Sequence, residues 1–213
     1  MELNLTRKSN RLLLLFLSTD ILFIVLHMIY TYTDYFGDPS YSLWKDRGYA
    51  EVFQYIKEYW IGLLFLYLAI KRRNFLYLSW SLLFGYLLLD DSFQIHEKLG
   101  TKVSSYFEFS PMLGLRAQDF GELIVSASFG SCFLGLIGLT YYFSDNSTKR
   151  TCRCLLVMLL VLVFFGIVMD MVDIIVKSPV WSPILGTVED GGEMLVMSVI
   201  AWFVFLLPEL QEN

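Results

Sequence analysis

The chain is organised around QDFGELIV (Gln118–Val125), because a near copy, EDGGEMLV (Glu189–Val196), returns near the C-terminus. A looser copy, QYIKEYWI (Gln54–Ile61), comes earlier. In each copy an amide or acid is followed four residues later by a glutamate, and a long apolar run begins directly after that glutamate. This pattern predicts helices that enter a membrane at equivalent points, each carrying a glutamate at a similar depth.

The composition favours an integral membrane protein. Of the 213 residues, 56% are hydrophobic and only 17% are charged, which is more apolar surface than a soluble domain of this length can bury. The net charge of −5 gives no reason to expect a nucleic-acid partner. Three cysteines without spaced pairs provide neither a disulfide framework nor a zinc-ribbon motif. The expected surroundings are therefore the lipid bilayer.

Six apolar segments are each long enough to cross a bilayer, which takes about 20 residues. They lie near residues 11–33, 52–71, 74–97, 117–143, 152–176 and 188–207. The sequence thus predicts an all-α integral membrane protein with a single transmembrane domain over residues 1–213. This six-transmembrane-helix bundle is expected to consist of helical hairpins at about 11–71, 74–143 and 152–207.

The last two predicted hairpins match each other best. The matching positions agree in residue type and order, and are Phe84, Gly85, Asp90, Asp119, Gly121 and Glu122 against Phe165, Gly166, Asp170, Asp190, Gly192 and Glu193. The first hairpin shares only Gln54 and Glu58, so two or three hairpin repeats are expected. Repeats related by an axis along the membrane normal place equivalent residues around a common centre. The acids are therefore expected to point inward.

Basic residues predict the orientation of the helices. One cluster (Arg7, Lys8, Arg11) precedes the first segment, and a second (71–73) forms a tight turn between the second and third segments. A third (149–153) lies between the fourth and fifth segments. Cytoplasmic loops carry an excess of Lys and Arg, so both termini are predicted to be cytoplasmic in the inner membrane.

Each predicted span carries an ionisable side chain, which is costly in a bilayer unless it is paired or faces a wet cavity. Counted at about 1.5 Å per residue from the basic clusters, these side chains fall at similar depths in the outer part of the bilayer. They are His27, Glu58, Asp90, Glu122, Asp170 and Glu193. We therefore predict one polar site in the outer half, with Asp20 about 13 Å from Arg11 as a deeper station.

The chemistry expected at such a site is cation binding. Clustered carboxylates repel one another, so protons, a bound cation or basic partners must compensate. Carboxylates with one or two imidazoles suit Ca²⁺, Mn²⁺, Fe²⁺ or, less often, zinc. The predicted ligands of a divalent metal cation are Glu58, Asp90, Glu122, Asp170 and Glu193. The candidate catalytic acid or base is His27 or His96, and His96 reaches the Asp90 face only if the third segment unwinds near its end.

Structural roles can account for some of these residues. Asp119-x-x-Glu122 and Asp190-x-x-Glu193 fit a capping box at a helix start. Lys57 and Arg116 can each neutralise one acid. Asp90 and Asp170 resist a capping explanation, because they lie near helix C-terminal ends where the dipole disfavours anions.

The small residues of the fourth segment have a separate expected role. Ser126-xxx-Gly130 and Ala127-xxx-Ser131-xxx-Gly135 place small side chains along the helix at intervals of four. Such stripes let helices approach closely in membranes. We expect this stripe to be a packing ridge for a neighbouring helix.

One stretch carries a family resemblance. LLLDDSFQIHEKLG (Leu87–Gly100) contains D-D-x-x-x-x-H-E and resembles a motif in uncharacterised bacterial multi-pass membrane proteins. The likeness covers about the central third of the chain and implies no activity. Ceramidases and adiponectin-receptor hydrolases hold a zinc ion with three histidines in a seven-helix bundle. The present chain has two histidines and six predicted helices, which excludes that resemblance.

Three functions stay open on the sequence. The acids can serve a metal-dependent enzyme that acts on lipid and opens to the outer leaflet, or a cation transporter or channel. They can also be ion pairs in a structural subunit of a membrane complex. The expected partners are the lipid bilayer and a lipid or cation ligand, and a homo-oligomer is compatible with the sequence.

Overall fold

A computed structural model describes the backbone of residues 2–112, 114–176 and 178–210, and the side chains within 10–208 of these ranges. The helices are α1 (Glu2–Tyr32), α2 (Tyr49–Arg72), α3 (Phe75–Phe93), α4 (Ile95–Tyr106), α5 (Ala117–Tyr142), α6 (Asn146–Val163), α7 (Asp170–Val176) and α8 (Ser182–Leu210). A π-helix (Phe164–Met169) joins α6 to α7, and a 3-10 turn (Pro39–Tyr41) lies in the first loop. The side chains of Arg7 and Lys8, which entered the orientation prediction, lie outside the described part.

Four helical stretches are long and apolar enough to cross a membrane, and they are Asn10–Tyr32, Ala117–Tyr142, Asn146–Val176 and Ser182–Pro208. An all-helical chain with such stretches is typical of an integral membrane protein. The helices α2 and α3 fall outside this set. Charged side chains interrupt both helices, namely Lys57 and Glu58 within α2 and Asp90 and Asp91 in the last turn of α3.

Helix α8 is the centre of the bundle. Half of its apolar window is buried inside the protein, against 11–17% for the other three spans. It packs against α1, α2, α6 and α7, while α2 pairs with α3, and α5 lies against α3 and α4. We call α1–α2, α3–α5 and α6–α8 the first, second and third hairpins.

The predicted tight turn between the second and third segments is confirmed. Arg73 ends α2 in the left-handed conformation (φ 49°), and its backbone N–H donates to the carbonyl of Ala69. Asn74 then caps α3, because its side chain accepts a hydrogen bond from Leu76 N at 2.9 Å. The two helices that this turn joins form part of the core of the bundle. In this core, Phe65 stacks on Trp80 and Phe84 with ring centroids 6.1–6.2 Å apart.

The structure corrects two predicted segment boundaries. The third segment does not continue to residue 97, because Gln94 adopts the left-handed conformation (φ 53°) and α3 ends at Phe93. The chain then forms α4, which the sequence pattern did not predict. The last helix begins at Ser182 rather than near 188, which places the repeated EDGGEMLV stretch well inside α8.

Candidate cation site

A cavity of about 280 Å³ lies between α2, α3, α5, α7 and α8. Each of these five helices contributes one of the predicted metal ligands to its wall, and these are Glu58, Asp90, Glu122, Asp170 and Glu193. His96, on α4, lines the same cavity. The structure therefore brings six of the seven predicted site residues to one place.

His27 is the predicted site residue that lies elsewhere. Its side chain is buried between α1, α8 and the first loop. Nδ1 accepts the backbone N–H of Leu43 at 3.2 Å, and Nε2 lies 3.2 Å from the hydroxyl of Thr187. That hydroxyl donates to the carbonyl of Pro183 at 2.7 Å, so it is free to accept the Nε2 proton. Both ring nitrogens thus hold the first loop on α8, and His27 does not join the cavity.

Asp20 is also separate from the cavity. Its carboxylate lies 3.2 Å from Nζ of Lys57, and both side chains are 0% exposed. Lys57 also donates to the carbonyl of Met194 at 2.7 Å and to the hydroxyl of Ser198 at 3.1 Å. This ion pair joins α1, α2 and α8, so Asp20 has a structural partner rather than the expected place as a deeper station. The prediction that Lys57 neutralises an acid is confirmed.

Asp90 holds His96 at the cavity through the helix break. Its Oδ1 accepts the backbone N–H of His96 at 2.8 Å, and its Oδ2 lies 3.0 Å from His96 Nδ1. The backbone bond caps the start of α4, so the expectation that capping cannot explain Asp90 is wrong. The sequence allowed His96 to reach Asp90 only if the third segment unwinds near its end. The segment does unwind, at Gln94, and this turns His96 back toward Asp90.

Asp119 and Glu122 have partners at the start of α5. Asp119 accepts the backbone N–H of Arg116 at 2.6 Å and pairs with its guanidinium at 2.7 Å, so the predicted ion pair of Arg116 is confirmed. The capping box consists of Arg116 and Asp119, and the predicted box of Asp119 and Glu122 is wrong. Glu122 accepts instead from the side-chain amide of Gln118 at 2.6 Å. Close packing fixes this region, since a Cβ on Gly121 would overlap the carbonyl of Gly100 on α4.

Asp170 and Glu193 lack such partners. Among the described residues, no hydrogen bond or ion pair reaches either carboxylate. The capping explanation is wrong for Glu193, because α8 starts eleven residues earlier at Ser182. Glu193 Oε1 instead lies directly against Gly166, in the π-helix, where any Cβ would overlap it. Short π-helical turns occur frequently at functional sites.

Three cavity residues were missed by the sequence reasoning, namely Gln54, Tyr86 and Asp91. Gln54 Oε1, Glu58 Oε2 and the Tyr86 hydroxyl are buried without a hydrogen-bond partner. Gln54 stands one turn before Glu58 in the repeated stretch, and Asp91 belongs to the D-D pair, so both carried a signal. Tyr86 carried none, because one tyrosine in an aromatic-rich helix is indistinguishable from core.

The acids line an extended space. Among the described residues, no group of three or more His, Cys, Asp and Glu side chains is close enough together to hold a metal ion. No lysine or arginine of the described chain lines the cavity either. The negative charge of the walls is therefore spread out, and no described lysine or arginine matches it at the cavity itself.

The rest of the cavity is apolar. Its lining below the acids consists mainly of leucine, valine, isoleucine, methionine and phenylalanine side chains from α3, α5, α6 and α8. Ser126 and Gly130 line it as well. An added Cβ on Gly130 or Gly135 would meet no atom within 4 Å, so no other helix of the described chain packs closely against these two glycines of the expected ridge.

The fold and site define an all-helical protein of the membrane type with an amphipathic, acid-lined cavity. Residues 19–208 match the family described as a domain of unknown function (DUF8692), and the chain belongs to this family. Comparison with curated proteins and with solved structures gave no match.

Proposed function

We propose that this is a six-span inner-membrane protein that binds a divalent cation at the acidic end of its cavity. Helices α2 and α3 complete the six spans, with their polar ends turned toward the cavity. The basic clusters at 71–73 and 149–153 face the cytoplasm together with both termini. The cavity acids then lie in the outer half of the bilayer.

One observation carries this proposal. Carboxylates from five helices line one cavity to which no described lysine or arginine contributes. Uncompensated acids in a membrane interior are costly, so a cation is the natural counter-charge. Glu58 supports the same view, because its side chain is 1% exposed and its Oε2 has no partner.

The acids of α2, α7 and α8 are the expected ligands. Asp90 and Glu122 already engage His96 and Gln118. Glu58, Asp170 and Glu193 have free oxygens, and oxygen-rich sites suit Ca²⁺ and Mn²⁺. Since these groups do not converge on one point, the ion would keep water molecules in its coordination shell.

A metal-dependent enzyme acting on lipid is the second candidate. His96 stands at the acidic end of the cavity, next to the apolar part that can accommodate a chain. A bound divalent cation would activate water there, and His96 would serve as acid or base. Transport is less well supported, because Asp20 is paired with Lys57.

The test is cation binding to protein purified without metal-chelate chromatography. Elemental analysis and equilibrium dialysis with Mn²⁺ should give about one ion per chain, and EDTA should lower the melting temperature. Glu193→Gln should weaken binding about tenfold or more, because a charged ligand is lost. Asp34→Asn, on an exposed loop outside the cavity, is the matched control. Identical melting with and without divalent ions in all variants would contradict the proposal.

A further inference from the structure

We infer that the cavity binds a single-chain amphiphile with an ammonium head group, which enters from the bilayer between α5 and α6. The inference rests on the proposed cation site, because the same acids would receive the head group. The amphiphile would also occupy the apolar half of the cavity, which a metal ion alone does not fill.

The entrance is a lateral opening in the apolar part of the bundle. Leu134 on α5 and Val163 on α6 line the cavity and are also 48% and 41% exposed at the protein surface. Both lie within stretches apolar enough to span the membrane. Helix α5 packs mainly against α3 and α4, and α6 packs mainly against α8, so the packing between α5 and α6 is slight. The cavity therefore opens toward lipid tails.

The shape of the cavity fits one chain. From Glu122 at the acidic end to Leu134 at the opening, α5 advances twelve residues, or about 18 Å. The volume of about 280 Å³ is near the lower limit of ligand pockets, which begin at roughly 300 Å³. A narrow cavity of this length has room for one apolar chain rather than for a two-chain lipid.

The polar end favours an ammonium group. Buried acceptors without a donor face the cavity, namely Glu58 Oε2 and Gln54 Oε1, together with the free carboxylates of Asp170 and Glu193. An ammonium group supplies three N–H donors and no acceptor. Each of its N–H donors can satisfy one of these acceptors directly. An anionic head group would add charge of the same sign.

The apolar part can be tested separately from the acids. Gly130 lines the cavity and has open space around it, so a larger side chain there would occupy the chain-binding region. Gly135 lies on the same helix with equally open surroundings but does not line the cavity. Gly130→Leu and Gly135→Leu are therefore a matched pair.

The experiment compares dodecylamine, dodecanol and dodecanoate on metal-free protein by native mass spectrometry, with Mn²⁺ binding measured in parallel. Dodecylamine should bind most tightly, and Mn²⁺ should compete with it. Gly130→Leu should weaken dodecylamine about tenfold, the effect of about two methylene groups that are no longer buried, and should leave Mn²⁺ binding unchanged. Gly135→Leu should change neither, and Glu193→Gln should weaken both.

The outcomes separate the two proposals. Equal binding of dodecanol and dodecylamine to the wild-type protein would overturn the head-group inference, whatever the variants do. Mn²⁺ binding without any amphiphile binding would overturn the inference and leave the cation site standing. Dodecylamine binding without Mn²⁺ binding would support the inference and overturn the divalent-cation proposal.

Discussion

The second and third hairpins carry acids at matching positions but provide them with different partners. In the second hairpin, Asp90 binds His96 and Asp119 binds Arg116. In the third hairpin, the corresponding Asp170 and Asp190 have no hydrogen bond or ion pair to the described residues. One copy of the repeat thus uses its acids to cap the starts of helices, and the other leaves them facing the cavity or its surroundings.

Local differences in sequence explain this contrast. The residue three positions before Asp119 is Arg116, whereas the residue three positions before Asp190 is Thr187, which contacts His27 instead. The break at Gln94 creates α4 and brings His96 to Asp90. The third hairpin has a π-helix directly before Asp170 instead, where Gly166 makes room for the Glu193 carboxylate. The partners of a repeated acid therefore decide its role.

The largest expected effect is on the free energy of unfolding. It tests how much an ion pair stabilises a buried acid in this fold. Lys57→Met leaves the fully buried Asp20 without its counter-charge. Removing one partner of a buried pair costs about 3–5 kcal/mol. We expect the free energy of unfolding to fall by that amount, as measured by reversible unfolding in mixed detergent micelles.

The control for this prediction is the double variant Asp20→Leu/Lys57→Met. Replacing a buried pair by apolar residues of similar size is often neutral. The double variant should therefore recover most of the lost stability. If Lys57→Met alone is as stable as the wild type, pairing does not stabilise a buried acid in this fold. The difference in partners between the second and third hairpins would then have no consequence for stability.

The next effect compares matching glycines in the two hairpins. A Cβ on Gly121 would overlap the backbone carbonyl of Gly100, whereas a Cβ on Gly192 would overlap the ring of Phe165. Overpacking costs about 1–3 kcal/mol. Gly121→Ala should be the more destabilising, because a helix backbone moves less readily than a side chain. A larger loss of thermal stability in Gly192→Ala would contradict this order.

The next prediction concerns Gly166, where the π-helix contacts Glu193. A substitution there should affect stability less than the changes above, but it should specifically weaken cation binding. Gly166→Ala should displace the flexible carboxylate end of Glu193 rather than the backbone. Mn²⁺ affinity should fall by roughly tenfold while the melting temperature changes little. The matching Gly85 has no atom within 4 Å of an added Cβ. Gly85→Ala should keep wild-type affinity and gain up to about 1 kcal/mol of stability from helix propensity.

Sequence patterns predicted the helical class because it follows from periodic apolar runs. They named Lys57 and Arg116 as partners of acids, but they did not predict how Asp90 holds His96. The left-handed Gln94 and the helix α4 depend on a side-chain cap from Asp90, which no apolar period reveals. Likewise, His27 looked equivalent to the cavity acids by depth alone. Its actual position depends on a loop that folds back over α1 through Leu43.

The smallest expected effect concerns the turns that begin the two hairpins. Asn74 caps α3, and Asp145 caps α6 by accepting from the backbone and hydroxyl of Thr148 at 3.0 and 2.6 Å. Asn74 also donates to the Thr148 hydroxyl at 3.3 Å, so the two caps meet. Only the cap of the third hairpin carries a charge that can titrate.

Hydrogen bonds from the Thr148 side chain and backbone hold the pKa of Asp145 below its ordinary value, which is about 3.9 in an unfolded chain. A carboxyl whose pKa is lower in the folded protein contributes stability above the unfolded pKa and loses it as the pH falls through the folded value. Asp145→Asn, which copies the cap of the second hairpin, should cost a few tenths of a kcal/mol at neutral pH, whereas Asp145→Ala should cost about 1 kcal/mol. Unfolding of the wild type and of Asp145→Asn, followed from pH 6 down to about 3, should show the difference in stability shrinking once the pH falls below the unfolded pKa and toward the folded value. A constant difference across that range would mean that the charge of Asp145 does not contribute to its cap.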